Sequence, residues 1–208
     1  MTKWHEIFRD EGAIWVHDGS QARPHALLTS GLHSDGFVNC TVVTQRPALL
    51  DRILSEQDGL PAHLPKNRVD WVIGSAFGAI SLAYAIALKL GARAGFTEKD
   101  GDGMKLNRFA ISPSQKVLVV EDTISTGGST LKTIEAIQKS GVSNENILPS
   151  IICLVNRSGS ELLGGRSLSA LLKLDIHSWQ PDDCPLCKAG SRPVRPKTHW
   201  HELTTKAQ

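Results

Sequence analysis

No run of apolar residues in this chain approaches the ~20 needed to cross a bilayer. The opening stretch, MTKWHEIFRDEG, has no apolar segment of signal-peptide length. Neither membrane insertion nor export is therefore expected, and a cytoplasmic location is the default. Cysteine is sparse, at 4 in 208 residues, which without a secretory signal favours reduced thiols over a disulfide framework. Net charge is only +2 and no long basic block is present, so no nucleic acid and no membrane is an expected partner. Two common nucleotide signatures are also missing. The chain contains neither GxxxxGK(S/T) nor GxGxxG, which removes the main support for a nucleotide triphosphatase or a dinucleotide enzyme. What remains is ordinary for a globular protein: 40% hydrophobic and 21% charged residues, over a length suited to one domain with a small extension.

Against that background one stretch stands out, KVLVVEDTISTGGST from Lys116 to Thr130. Val117 to Val120 is a short β-branched run suited to a strand buried on both faces, and Leu131 to Lys139 has the apolar spacing of a helix. The loop between them lies where α/β units bind ligands, beyond the carboxyl end of a strand and at the free N–H groups of a helix start. Gly127 and Gly128 allow close backbone approach, and Ser125, Thr126, Ser129 and Thr130 add hydroxyl donors, a ring that fits a phosphate. Glu121 and Asp122 would repel that phosphate but accept hydrogen bonds from sugar hydroxyls. Acids beside a phosphate nest point to a ribose phosphate. A plain strand-to-helix turn with Ser129 or Thr126 as N-cap is the competing reading.

The arrangement resembles the phosphoribosyl pyrophosphate (PRPP) loop of type I phosphoribosyltransferases, in which two acids precede a T-x-T-G-type turn. The resemblance implies an α/β fold with a mostly parallel central sheet flanked by helices, a small N-terminal hood and a mobile lid loop. It implies PRPP binding by Glu121, Asp122, Thr123, Ile124, Ser125, Thr126, Gly127, Gly128 and Ser129. Upstream, ALLTSGLHSDGFVN reads by itself as a hairpin or loop. Leu28, Ser30, Gly31, Ser34, Phe37 and Asn39 resemble the L-x-S-G-x-x-S, aromatic, Asn segment of orotate phosphoribosyltransferases. Thr29 stands where some members carry a lysine near the base, and Asp35-Gly36 replaces a bulkier pair. His33 reads as an exposed loop histidine.

The remaining elements follow in order. Trp4, Ile7, Phe8 and Ala13 to Trp15 predict an amphipathic helix over residues 2–13. Pro47 opens a helix that stops near Gly59. Val69 to Ile73 is a strand leading through GSAFGAIS into a helix over 80–90. Gly74 to Ala79 matches the family's pyrophosphate loop, with Ser75 and Ala76 as PRPP contacts, and serves equally as close helix packing by Gly78 and Ala79. Some relatives place a lysine near Gly78; without it, pyrophosphate binding leans on backbone and metal. Ala92 to Phe96 is a third strand. After it, FTEKDGDGMKLNRF breaks periodicity and reads as a mobile basic hairpin. By resemblance it closes over PRPP, with Lys99 and then Lys105 as pyrophosphate contacts and, with Asp122, the catalytic set.

Ile147 to Val155 and Leu168 to Ile176 are further strands. Arg157, just past the first, is suited to a carboxylate and is the implied orotate anchor, with Ser125, Phe37 and Thr29 beside it. The Pro-rich tail holds Cys184-x-x-Cys187, which invites a zinc reading with His199 and His201; the one-residue spacing of those histidines fits zinc poorly. A similar CPLC tail ends some bacterial orotate enzymes, so it is expected to pack across the domain. The expected organisation is a hood over 1–65, a PRPP-binding core over 66–178 and the tail over 179–208. The resemblance implies orotate and PRPP as substrates, orotidine 5′-monophosphate and pyrophosphate as products, and Mg²⁺ carried by PRPP with no dedicated protein ligands. It also implies a homodimer that shares its lids. The rivals are a phosphoribosyltransferase for a purine or uracil and a PRPP-sensing regulator without catalysis.

Overall fold

The structure, a computed structural model, describes residues 2–204. In chain order its elements are α1 (Lys3–Asp10), β1 (Ile14–Val16), β2 (His25–Leu27), β3 (His33–Ser34), β4 (Gly36–Val38), α2 (Thr41–Thr44), α3 (Pro47–Ser55), β5 (Trp71–Ser75), α4 (Ile80–Leu90), β6 (Arg93–Asp100) and β7 (Gly103–Lys105). They continue with β8 (Val117–Ile124), α5 (Gly128–Lys139), β9 (Ile147–Asn156), β10 (Leu162–Leu163), β11 (Arg166–Lys173), β12 (Ser178–Trp179), α6 (Pro185–Lys188), β13 (Pro193–Val194) and α7 (Pro196–Thr204). Two compact units are formed, Met1–Asn39 with Asp175–Gln208, and Cys40–Leu174. Among the described residues no helix is long and apolar enough to cross a membrane.

The larger unit carries a seven-stranded sheet in the order β10-β11-β9-β8-β5-β6-β7. Its five inner strands are parallel, and each edge strand is antiparallel to its neighbour. The VLVV run is fully buried because helices cover both faces. Val117 and Val119 join Ile134 and Ile137 of α5 in one apolar cluster. Pro47 opens α3 from its first turn, and Gly91, in the left-handed region at φ 64°, closes α4. Strand order reverses between β5 and β8, since the chain proceeds outward through β6 on one side and through β9 and β11 on the other. At such a switch point the loops leaving two neighbouring strands diverge and leave a crevice.

The smaller unit joins the chain's beginning to its end. β13 pairs in parallel with β2, and β12 pairs antiparallel with β3, in the sheet β12-β3-β2-β13. Its core gathers Trp15, Ala26, Val194 and Leu203, with Phe37 and Trp200 packed against them.

Several expectations need correction. Ala13 to Trp15 do not continue the first helix: α1 ends at Asp10, and Ile14–Val16 is a strand paired with β4. Those apolar residues fit helical spacing but are taken up by sheet pairing. His33 is no exposed loop residue; it lies on β3 at 6% exposure. The basic hairpin, by contrast, is present as expected, with Gly103 in β7, Lys99 opposite Met104 and Lys105 opposite Glu98. Two of its basic side chains are paired, Arg108 with Glu98 at 3.0 Å and Lys105 with Asp100 at 4.0 Å.

Because Leu118 is wholly buried at the centre of the sheet, Leu118→Ala should cost about 2–5 kcal/mol. The denaturant midpoint reads this; a loss under about 1 kcal/mol would mean that the sheet repacks around the cavity.

Candidate active site

At the switch point, the loops after β5 and β8 enclose a polar cavity of about 270 Å³. Its lining takes Ser75, Ala76 and Gly78 from the first loop and runs from Glu121 to Thr130 on the second, without Ile124. The structure thus brings together most of the expected PRPP residues. Ile124 is the exception: its side chain is 1% exposed in the apolar core, and its carbonyl accepts the Arg157 N–H at 2.8 Å.

The two adjacent acids both line the cavity and lie within side-chain hydrogen-bond reach of each other, but the rest of their surroundings differ. Glu121 is 4% exposed and accepts hydrogen bonds from Ser75 Oγ at 2.8 Å and Thr130 Oγ1 at 3.3 Å. Burial, and next the Asp122 charge, push its carboxyl up to about 8. Asp122 is less enclosed and accepts from the Thr123 N–H at 2.8 Å. Its carboxyl is raised too, by burial. Among the described residues, no lysine or arginine pairs with either acid. Glu121 therefore ties β5 to β8 and the start of α5, while Asp122 is the more exposed of the two.

Gly78 resolves the two readings of its loop in part. A Cβ there would lie 2.6 Å from Asp122 Oδ2, so the missing side chain is what leaves room for the carboxylate. Close packing is also present, because Gly74 meets Ala79 in the same manner, at 2.7 Å from its carbonyl. The Ala76–Phe77 peptide between them is cis. On the second loop, Gly127 has φ 77° and no side chain caps α5, which corrects the Ser129 or Thr126 cap. The amides of the first turn are left without intrahelical partners, as anion binding requires.

Other expected residues lie elsewhere. Lys99 and Lys105 sit on the β6–β7 hairpin, which packs against α5, and neither lines the cavity. Arg157 does not line it either, though its main chain is fixed to the end of β8. Phe37 is held in the core of the smaller unit, its ring 5.9 Å from that of Trp200, and Thr29 is exposed in the turn between β2 and β3. Sequence reasoning missed Cys40. Its Sγ lies 3.2 Å from Thr123 Oγ1 and 3.5 Å from the Asp122 carbonyl, supporting the loop from beneath, and burial raises its thiol strongly. Thr130 was read as a phosphate donor, yet it holds Glu121. Neither contact has a local signal, since one spans about eighty residues and the other depends on the helix start.

A larger, apolar groove of about 790 Å³ lies between α3 and α4. It lacks a converging set of polar groups, and the smaller polar cavity is where the chemistry can be done.

The raised carboxyl of Glu121 has a consequence for stability. Between an ordinary carboxyl value and about 8 the folded protein holds a proton that the unfolded chain releases, so stability falls as pH rises through that window. Glu121→Gln should flatten this slope, its melting temperature gaining on the parent from pH about 5 to about 8. Parallel melting profiles for the two proteins would place the proton elsewhere.

No family model matches the chain. Individual proteins do. The chain is 37% identical over 192 residues to an orotate phosphoribosyltransferase of Caldicellulosiruptor bescii, covering 92% of this chain and 94% of that protein. It is 38% identical over 190 residues to one of Pelotomaculum thermopropionicum, covering 90% and 96%. The crystal structure of orotate phosphoribosyltransferase from Aeropyrum pernix superposes with a TM-score of 0.59 at 26% identity, covering 81% of this chain and 92% of that one. With identity sustained over nearly the whole length, and with the acid pair and glycine turn assembled at one switch point, the chain belongs to the orotate phosphoribosyltransferase family.

Proposed function

We propose that the protein transfers the 5-phosphoribosyl group of PRPP to orotate, giving orotidine 5′-monophosphate and pyrophosphate. The observation that carries this reading is the cavity at the β5–β8 switch point, where one loop offers free amides and hydroxyls and the other offers small residues beside an acid. The 5-phosphate is assigned to Thr126–Ser129 and the amides opening α5. Asp122 is assigned to the ribose hydroxyls, and the main chain of Ser75–Ala79 to the pyrophosphate, where the absence of bulk permits close approach. Arg157, fixed beside the end of β8, is the anchor for the orotate carboxylate through paired N–H donors, with Ser125 on the adjoining loop.

The bond from ribose C1′ to the pyrophosphate oxygen breaks, and C1′ bonds to a ring nitrogen of orotate. Positive charge grows on the sugar while the leaving oxygens become more negative, so the help needed is electrostatic and positional. Asp122, unpaired with any cation among the described residues, holds the ribose and faces the growing positive charge. Lys99 and Lys105 would meet the leaving group on closure of residues 98–108, which also excludes water. The carboxylate-lined cavity fits Mg²⁺ brought in on PRPP, which would neutralise pyrophosphate oxygens. We assign the enzyme to the cytoplasm and to a homodimer whose lids are shared. Tyr84 and Leu88 on α4, 65% and 73% exposed beside the apolar groove, support a second copy as its occupant.

Incubation with Mg²⁺, PRPP and orotate should deplete orotate absorbance, and substitution of adenine or uracil should not support turnover; no loss with orotate would refute the assignment. Asp122→Asn is expected to cut kcat/KM for PRPP by at least about tenfold, roughly 1.4 kcal/mol of transition-state binding, with little change in melting temperature. Equal losses of folding and activity would make Asp122 structural. Arg157→Ala should raise KM for orotate about tenfold or more and leave that for PRPP near its parent value. An unchanged orotate KM would remove Arg157 from the site.

A further inference from the structure

The CPLC tail finds its partners in a part of the chain that the sequence reading assigned to the base. Four side chains of the smaller unit, His25, His33, Cys184 and Cys187, place one ligand atom each within 4.8 Å of all the others. We propose that they form a closed tetrahedral zinc site that fastens the tail to the N-terminal hairpin.

Geometry supports this first. Metal–nitrogen bonds of about 2.0–2.1 Å and metal–sulfur bonds of about 2.3 Å put tetrahedral neighbours about 3.3 Å (N to N) and about 3.6 Å (N to S) apart. His25 Nε2 lies 3.0 Å from His33 Nδ1, 3.6 Å from Cys184 Sγ and 3.5 Å from Cys187 Sγ, and His33 Nδ1 lies 3.2 Å from Cys187 Sγ. Hydrogen bonds alone could account for any one of these contacts, but four donors converging on one point is a different matter. His25, His33 and Cys184 are all buried, at 0%, 6% and 0% exposure, and Cys187 is partly so.

The surrounding hydrogen bonds leave the right atoms bare. Ser191 Oγ donates to the Arg23 carbonyl at 2.6 Å, so at 2.9 Å it accepts from His25 Nδ1–H. That fixes the tautomer of His25 and turns the lone pair of Nε2 toward the cluster, the kind of outer contact that orients metal-bound histidines. Cys184 stands at the start of α6 and its sulfur accepts the Cys187 N–H at 3.5 Å, an outer contact that holds the sulfur in place. Two thiolates and two neutral imidazoles balance the charge of Zn²⁺, and four protein ligands leave no open position, which marks a structural site.

The site also answers a need of the fold. Two segments well over a hundred residues apart share a core of few buried residues, and their strand pairs, β2 with β13 and β3 with β12, are only two residues long. A metal bound by both segments supplies a cross-link that such short ladders do not. His199 and His201, the partners suggested by proximity in sequence, are not in the cluster; His199 Nδ1 instead lies 2.7 Å from Thr198 Oγ1.

The test is elemental analysis of the full-length protein purified without chelator. One zinc per chain is expected, kept in His199→Ala and lost in His33→Ala and in the Cys184→Ser, Cys187→Ser double variant. Because those variants could misfold, the parent should also be reconstituted with Co²⁺ and read by its absorption. Intense tetrahedral bands with a sulfur-to-cobalt transition are expected, and zinc removal by a strong chelator should lower the melting temperature reversibly. Substoichiometric metal, an octahedral cobalt spectrum, retention of zinc by the cysteine double variant, or a Cys184–Cys187 disulfide in the purified protein would each overturn the proposal.

Discussion

The candidate site depends on burying two adjacent carboxylates at the end of one central strand. Glu121 and Asp122 both line the cavity and their side chains touch, but their other partners differ. Glu121 enters the interior, where Ser75 and Thr130 satisfy it and its carboxyl is raised to about 8. Its hydrogen bonds join three elements, β5, β8 and α5, at the point where the loops must be positioned. Asp122 lies beside Glu121, against a backbone with no side chain at Gly78. A Cβ at position 78 would collide with the Asp122 carboxylate in its present position.

The same constraint separates loop residues that bind from those that support. Thr130 looks like a phosphate donor in the hydroxyl-rich loop and Ser75 like a PRPP contact in the loop after β5, yet both hydroxyls are engaged by Glu121. Ser125, Thr126 and Ser129 remain around the open amides at the start of α5. Cys40 holds the opposite side of the loop through Thr123. A loop rich in hydroxyls thus contains two populations, and only the partner across the sheet distinguishes them.

The two metals implied for this chain would differ in kind. Mg²⁺ arriving with PRPP would need only weak, transient oxygen contacts, which suits a cavity with one accessible acid. Zinc in the smaller unit would need a fixed set of nitrogen and sulfur ligands, which suits buried side chains supplied by two segments. Hard oxygen chemistry and soft sulfur chemistry can therefore coexist in one chain without exchanging metals.

Local patterns were enough to show the α/β class, the run of parallel strands, α4 from Ile80 to Leu90, and the strand–loop–helix unit around Glu121 to Thr130, because burial periodicity and turn residues act over a few positions. They misplaced Ala13 to Trp15, whose apolar spacing fits helix or strand until β4 supplies a partner. They also left His33 on the surface and offered Cys184 and Cys187 only His199 and His201, whose spacing fits a metal poorly. Only the tertiary structure brings His25 and His33 to the two cysteines, and only it puts Asp122 against Gly78. Both are contacts between segments distant in the chain, and periodicity carries no information about which distant segments will meet. The sequence by itself determined what the PRPP-loop motif is suited to hold; the folded chain decided which of its side chains are free to hold it.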